Sequence, residues 1–468
     1  MPVDTIVEGG SGVTRNMAEA VNRCRMAADH RYGGEPVMAD PLTYPADRFV
    51  QTGLGILQLL LGGYRPRNFA VRLWDGTIWG PEEGQTALFT LVIHRPGALR
   101  RMFLHPTDLS LGNAYIHGDF DIEGDFESSF ALADYFTGPG IGTAERVRCA
   151  PKLLMFPADD RPPSGRQAVK CRGPLHSLFR DRNAVQYHYD VSNDFFSLWL
   201  DRRMVYSTAY FSDPREDLDT AQERKLEYIC RKLRLHRGER LLDIGCGWGG
   251  LVTYAAKTRD VEAVGITLSR PQAELAGQRI REEGLENRCR VEVLDYREVE
   301  DPSGYDKIAS IGMFEHVGES RLEEYFGRTW RLLRPGGVFL NHGIASRASD
   351  TPRRGPSFVD RYVFPDGDLV PISTTLRVAE KCGFEVRDVE SLREHYVLTL
   401  RHWFRRLEAS YGKARQAADE VTCRIWRLYL SGAAYWFRIG RNNVYQALLV
   451  KSEGGRSGMP LTRADWYS

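Results

Sequence analysis

Leu241-Leu242-Asp243-Ile244-Gly245-Cys246-Gly247-Trp248-Gly249-Gly250 reads as a buried strand running straight into a glycine-rich turn, with a helix behind it from Leu251 to Ala256. Gly245, Gly247 and Gly249 let the backbone curl tightly and approach a ligand with no Cβ in the way. The helix start presents free N–H groups. A dinucleotide fold uses such a turn as well, so its surroundings decide. A second strand, Val261 to Leu268, ends in Thr267, Leu268 and Ser269, where a dinucleotide site expects an acidic residue for the ribose. A third strand, Arg290 to Leu294, is closed by Asp295-Tyr296. The series argues against a dehydrogenase.

Outward from this stretch, strand and helix signals alternate from Tyr187 onward, which predicts an α/β, doubly wound parallel sheet. Helix Thr220 to Leu235 precedes the first strand, Arg240 to Ile244. A fourth strand is predicted over Lys307 to Ile311 and a fifth over Val338 to Asn341, after helix Arg321 to Leu333. Segment 345–372, heavy in Pro, Gly and Arg, reads as an insertion over the site. Two late helices, Val397 to Tyr411 and Thr422 to Phe437, carry Trp403, Phe404, Trp426, Tyr429, Tyr435, Trp436 and Phe437. Most of these are expected in the core, with a minority lining an apolar substrate tunnel.

A chain of 468 residues exceeds one ordinary core. Residues 1–48 read as a loosely ordered tail, 49–137 as a small N-terminal domain, 138–182 as a linker and 183–468 as the main domain. The small domain is predicted as an apolar helix, Gly53 to Leu61, then strand-like runs Phe69 to Trp74 and Leu88 to His94, a stretch punctuated by Gly112, Gly118 and Gly124, and an amphipathic segment Phe126 to Phe136. In the linker Pro139, Pro151, Pro157, Pro162, Pro163 and Pro174 break long elements. Its nine basic residues against four acids leave an excess of five positive charges, interleaved with Leu153, Leu154, Met155, Leu178 and Phe179. That is either a solvated linker or a patch that meets anionic lipid headgroups.

The totals exclude several classes. Lys plus Arg is 63 and Asp plus Glu is 62, a balance that argues against a general nucleic-acid binder. No apolar run reaches the length needed to cross a bilayer, and residues 1–30 do not read as a secretory signal. Eight scattered cysteines with no Cys-x-x-Cys pair offer neither a zinc site nor a disulfide framework, so no metal is expected and a reducing cytoplasm fits.

The strand–turn–helix series resembles an S-adenosylmethionine-dependent methyltransferase. That cofactor needs close backbone approach for its methionine end, a polar residue near its ribose and a slot for adenine. Gly245 and Gly247 supply the first, Gln272 can serve the second and Asp295-Tyr296 can flank the base. Asp243 can alternatively only fix the turn, and Gln272 only start a helix. All lie at the carboxyl edge where open α/β sheets bind ligands. On the acceptor side, the fourth strand ends in Gly312-Met313-Phe314-Glu315-His316-Val317-Gly318 and the fifth in Asn341-His342-Gly343-Ile344, which offers a Glu and a His to one pocket. Glu394-His395-Tyr396 precedes a helix.

Residues from about 185 to 451 resemble the cyclopropane fatty acid synthase family, which includes the mycolic acid cyclopropane synthases. The resemblance rests on His188-Tyr189-Asp190-Val191-Ser192-Asn193-Asp194-Phe195-Phe196, on Tyr206-Ser207-Thr208-Ala209-Tyr210-Phe211, on the glycine turn and on Met313 to Gly318. It extends to His342 to Ile344, Tyr362-Val363-Phe364-Pro365-Asp366-Gly367, His395-Tyr396 with Thr399, Leu400 and Trp403, and Phe437-Arg438. Leu111-Gly112-Asn113-Ala114-Tyr115-Ile116-His117-Gly118-Asp119-Phe120 resembles the small N-terminal domain of phospholipid-acting members; the tail 1–48 is not covered.

The resemblance implies a Rossmann-like methyltransferase domain beside a smaller α+β lipid-associated N-terminal domain. It implies methyl transfer from S-adenosylmethionine to the cis double bond of an unsaturated phospholipid acyl chain, giving a cyclopropane. Tyr206, Ser207, Asp243, Gly245, Gly247, Gly249, Thr267, Leu268, Gln272, Asp295 and Tyr296 would bind the cofactor. A bicarbonate ion would act as base, held by Glu315, His342 and Tyr396 with the amide of Ile344, and Tyr210 would steady a carbocation. Family members carry Cys where this chain has Thr208. If that position gives mainly its backbone N–H, Thr serves; if the thiol tunes the base, a methylene- or methyl-branched chain results. A small-molecule N-methyltransferase is a further alternative. Expected surroundings are the cytoplasm and the inner membrane face, bound peripherally, with a homodimer as one assembly the resemblance allows.

Overall fold

The computed structural model describes residues 46–158, 165–169, 173–189, 191–349 and 357–467. The chain divides into two units, 1–48 and 49–468. All but the last residues of the expected tail lie outside the described residues.

The stretch 240–244 is strand β5 (Arg240–Ile244), and four of its five residues are buried, as an apolar run at the centre of a covered sheet requires. It belongs to a seven-stranded sheet with β6 (Glu262–Thr267), β7 (Cys289–Val293), β8 (Tyr305–Ile311), β9 (Leu333–Ser346), β10 (Glu385–Ser391) and β11 (Asn442–Val450), in the order β10-β11-β9-β8-β5-β6-β7. The five strands from β9 to β7 are parallel, and β11 runs antiparallel between β9 and β10. Helices Leu218–Leu233, Gly250–Arg259, Arg270–Glu282 and Leu322–Leu332 accompany them.

The last two strands carry no local signature strong enough to predict them. The fifth strand is longer than the expected 338–341 because β11 pairs with it from Val338 to Ser346. Register places Gln446 directly opposite His342. Glu394, His395 and Tyr396 open the helix Arg393–Ala409 and do not precede it.

A second sheet holds β1 (Phe69–Arg72), β2 (Ile78–Trp79), β3 (Phe89–Ile93) and β4 (Phe120–Gly124) in the order β2-β1-β3-β4. The glycine-punctuated stretch before β4 is the helix Asp108–Ile116, started by a capping box between Thr107 and Ser110. Gly112 is needed within it, because a Cβ there would stand 2.3 Å from the Phe358 ring. Residues 143–154 are helical with Pro151 inside, on a helix whose Val147, four residues earlier, faces solvent. Cys149, Leu153 and Phe156 are buried in the same apolar cluster as Val50, Phe69, Phe196, Trp403 and Trp426. That cluster joins the small sheet to the helices Arg393–Ala409 and Glu420–Arg438. Among the described residues no helix is long and apolar enough to cross a membrane.

Candidate active site

Two cavities meet at the carboxyl edge of the large sheet. The first is lined by Gly245, Gly247, Thr267, Leu268, Gln272, Asp295 and Tyr296. Gly245 and Gly247 take φ of +80° and +55°, a region open mainly to glycine. A Cβ on Gly245 would press on Met313 at 2.6 Å, whereas Gly247 turns an open backbone to the cavity. Gln272 is buried and its Oε1 accepts from the Thr267 hydroxyl at 2.8 Å, which leaves the amide nitrogen on its other side. A glycine cradle with a held amide fits the methionine end and the ribose of S-adenosylmethionine.

Four of the expected cofactor residues stand elsewhere. Asp243 is buried near Lys225, and burial pushes its carboxyl up to about 7. It is not in the cavity wall. Gly249 starts the helix Gly250–Arg259 at φ +77° and packs towards Ala276. Tyr206 and Ser207 line the second cavity. Ser207 Oγ accepts from Lys225 Nζ at 2.9 Å, which ties this loop to the helix Leu218–Leu233. Asp295 lines the first cavity, but its carboxylate is gripped by Arg297 at 2.8 and 2.9 Å. Arg297 also reaches Asp181 and itself lines the wall, a role the sequence did not suggest.

The second cavity, of about 790 Å³, brings together Glu315, His342, Ile344, Tyr396 and Thr208. Tyr189, Gly312 and His316 line both cavities and so mark where they meet. Tyr189 and His316 were not singled out from sequence, although each lies in a stretch that carried the resemblance.

Glu315 sits on the turn after β8, and its Oε1 accepts the Ile344 N–H at 2.7 Å. The amide assigned by resemblance to an anion therefore holds the carboxylate. Glu315 Oε2 is buried and without a hydrogen-bond partner. Burial pushes this carboxyl up to about 7, against the Ile344 bond, which favours the charged form.

His342 is fixed by its neighbours across the sheet. Lys232 Nζ donates to Gln446 Oε1 at 2.8 Å. An ammonium has only donors, so the Gln446 amide nitrogen faces His342 Nδ1, at 3.2 Å. Nδ1 accepts, and the ring proton sits on Nε2. Burial, with Lys225 and Lys232 nearby, holds this imidazole well below its usual range, so it stays neutral. Lys232 is itself anchored by Glu390 and lies 3.6 Å from Asp388. Gln446 has no local sequence signal; only the register of β11 reveals it.

Thr208 is buried and its hydroxyl donates to the Ala209 carbonyl at 3.3 Å. Of the late-helix aromatics, Tyr429, Trp436 and Phe437 line the cavity, while Trp403 and Trp426 are core. Tyr210 is outside the lining and stacks on His395 at 4.6 Å; the Phe, Tyr and Trp residues lining the cavity are Tyr189, Tyr206, Phe364, Tyr396, Tyr429, Trp436 and Phe437.

Residues 176–447, more than half of the chain, match the mycolic acid cyclopropane synthetase family. A Pseudomonas putida protein named "Probable fatty acid methyltransferase" is 40% identical over 401 residues, 85% of this chain and 95% of its own. The cyclopropane-fatty-acyl-phospholipid synthase of Escherichia coli K12 is 38% identical over 276 residues, 59% of this chain and 69% of its own. The crystal structure of the mycolic acid cyclopropane synthase CmaA1 complexed with SAH and CTAB covers 57% of this chain and 97% of its own, at 36% identity and a TM-score of 0.54. With a seven-stranded sheet, a glycine cradle and a Glu/His/Tyr cavity set against it, the chain belongs to the mycolic acid cyclopropane synthetase family and is an S-adenosylmethionine-dependent methyltransferase.

Proposed function

We propose that the protein transfers the methyl of S-adenosylmethionine to the cis double bond of an unsaturated phospholipid acyl chain and closes a cyclopropane. The observation that carries this reading is the meeting of the two cavities at Tyr189, Gly312 and His316; a cofactor in the first would present its methyl towards the cavity of Glu315, His342 and Tyr396. An isolated olefin is a weak nucleophile, so alignment with the sulfonium and exclusion of water supply most of the rate. The S–CH₃ bond breaks as a C–C bond forms, leaving a thioether and a cation on the neighbouring carbon. Tyr189, Tyr206 and Tyr429, which line this cavity, would steady that charge. Loss of a proton from the new methyl then closes the ring. His342 Nε2–H and the Tyr396 hydroxyl would hold a bicarbonate, with Glu315 beside them; when bound it supplies a base in a dry pocket. The Thr208 hydroxyl, turned to its own backbone, supports a role for that position through its main chain.

Exposed Val147, Leu154, Met155, Leu175, Leu178 and Phe179 lie in the basic stretch 138–182, which supports peripheral docking on an anionic lipid surface. A second reading keeps cofactor and substrate but stops at a methylene- or methyl-branched chain; the name of the Pseudomonas relative favours it. Incubation with labelled cofactor and vesicles of monounsaturated phospholipid should give acyl chains heavier by one CH₂. Gas chromatography separates ring from branch: a branched product alone sinks the cyclopropane claim, and no product from any olefin sinks both readings.

A further inference from the structure

Beside the reaction cavity lies an apolar chamber framed by the small sheet and by helices Asp108–Ile116, Ser129–Thr137 and Glu420–Arg438. Its walls include Leu91, Leu111, Tyr115, Phe126, Phe130 and Phe136. Val359, Tyr429 and Trp436 line both this chamber and the reaction cavity, so the two spaces share a wall. Resting on the acyl-chain reading above, we infer that the chamber receives the methyl-terminal half of the acyl chain, beyond the double bond, and that the small N-terminal sheet and its helices thereby select chain length.

Three observations carry this. The polar groups in the wall away from the reaction cavity are engaged: Asp108 accepts the Phe358 N–H at 3.0 Å, and Asp134 is paired with Arg441 at 2.9 Å. The Ser129 and Thr137 hydroxyls donate to Phe126 and Ala133 carbonyls at 2.7 and 3.0 Å. Apart from Tyr429 and Trp436, which border the reaction cavity, the described wall offers no unengaged polar side chain to a carboxyl ester or headgroup, whose burial without partners is costly. The chamber is also small, about 120 Å³ against about 790 Å³ for the reaction cavity, which suits part of a single hydrocarbon chain. Finally, a double bond held at Glu315 and His342 divides the chain into an ester-bearing half and an all-hydrocarbon half. Only the second matches these walls. The Phe358 ring, seated in the notch left by Gly112, forms part of the chamber wall.

The test uses phosphatidylglycerol vesicles with two series of monounsaturated chains. One varies the carbons beyond the double bond; the other varies those between the ester and the double bond. Ala133→Phe, which fills the chamber, should lose turnover about tenfold or more on the longest distal segments. It should leave the shortest distal segments, the proximal series and titrated S-adenosylhomocysteine binding unchanged. Phe130→Ala, which enlarges the chamber, should extend turnover to longer distal segments. Equal loss along the distal series, or a response that follows the proximal series, overturns the chamber's role while leaving the reaction standing. Wild-type protein that converts neither series overturns the catalytic reading and this one with it.

Discussion

Glu315 combines a bond from Ile344, a second oxygen with no partner and a carboxyl pushed up to about 7. Glu315→Gln keeps its volume and removes its charge. Turnover should fall about 10²- to 10⁴-fold while calorimetric titration shows S-adenosylhomocysteine binding intact; unchanged turnover removes Glu315 from the chemistry. Gln446 is outside the cavity lining and faces His342. In Gln446→Glu the new carboxylate still pairs with Lys232 but can no longer donate to Nδ1, so the ring proton should move from Nε2 to Nδ1. Turnover should drop about 10- to 100-fold, and imidazole ¹⁵N shifts should report the exchanged tautomer. A rate loss without that exchange would mean a merely structural role. Glu315 was legible in the sequence because it lies where a strand meets its turn, and His342 because it follows the apolar run of the fifth strand, although the strand itself continues to Ser346. Gln446 was not, since its importance arises only when a strand far along the chain settles into register.

Arg424, on the helix Glu420–Arg438, is buried and donates to the Tyr115 and Phe120 carbonyls at 2.8 and 2.9 Å, and pairs with Asp121 at 2.6 Å. It fastens this helix to the helix Asp108–Ile116 and to β4. Arg424→Ala leaves the Tyr115 carbonyl with the Gly118 N–H and Asp121 with His94 but removes the buried guanidinium that joins them, and should cost about 3 kcal/mol, seen as a lower melting temperature by circular dichroism; a shift within error would show that water replaces the guanidinium. At this scale the parallel strands β5 to β8 were readable as short apolar runs closed by turns. The helix Asp108–Ile116 was hidden because Gly112 reads as a breaker, whereas it is a point of close approach to Phe358. The late aromatics could be assigned to core or tunnel only as a group, since helical periodicity does not say which stripe borders empty space.

For the molecule as a whole, burying Glu315 couples stability to pH. Its folded carboxyl holds the proton more tightly than the unfolded chain does, rising from 4.5 to about 7. The resulting stability is complete below about pH 4 and is lost as pH rises through about 7, a change of up to about 3 kcal/mol. Glu315→Gln lacks this loss, so its stability relative to wild type should grow between those limits in urea titrations; a constant difference would place the carboxyl in water. If the ionised form is the one that works, wild-type turnover climbs over the same interval in which stability declines.

The antiparallel β11 wedges between β9 and β10, which precede it in the chain. A ribosome that has delivered everything up to residue 441 has made the glycine cradle, Glu315 and His342, yet nothing faces the imidazole. Nascent chains therefore hold the cradle and both of these side chains before the strand that orients the imidazole has been made.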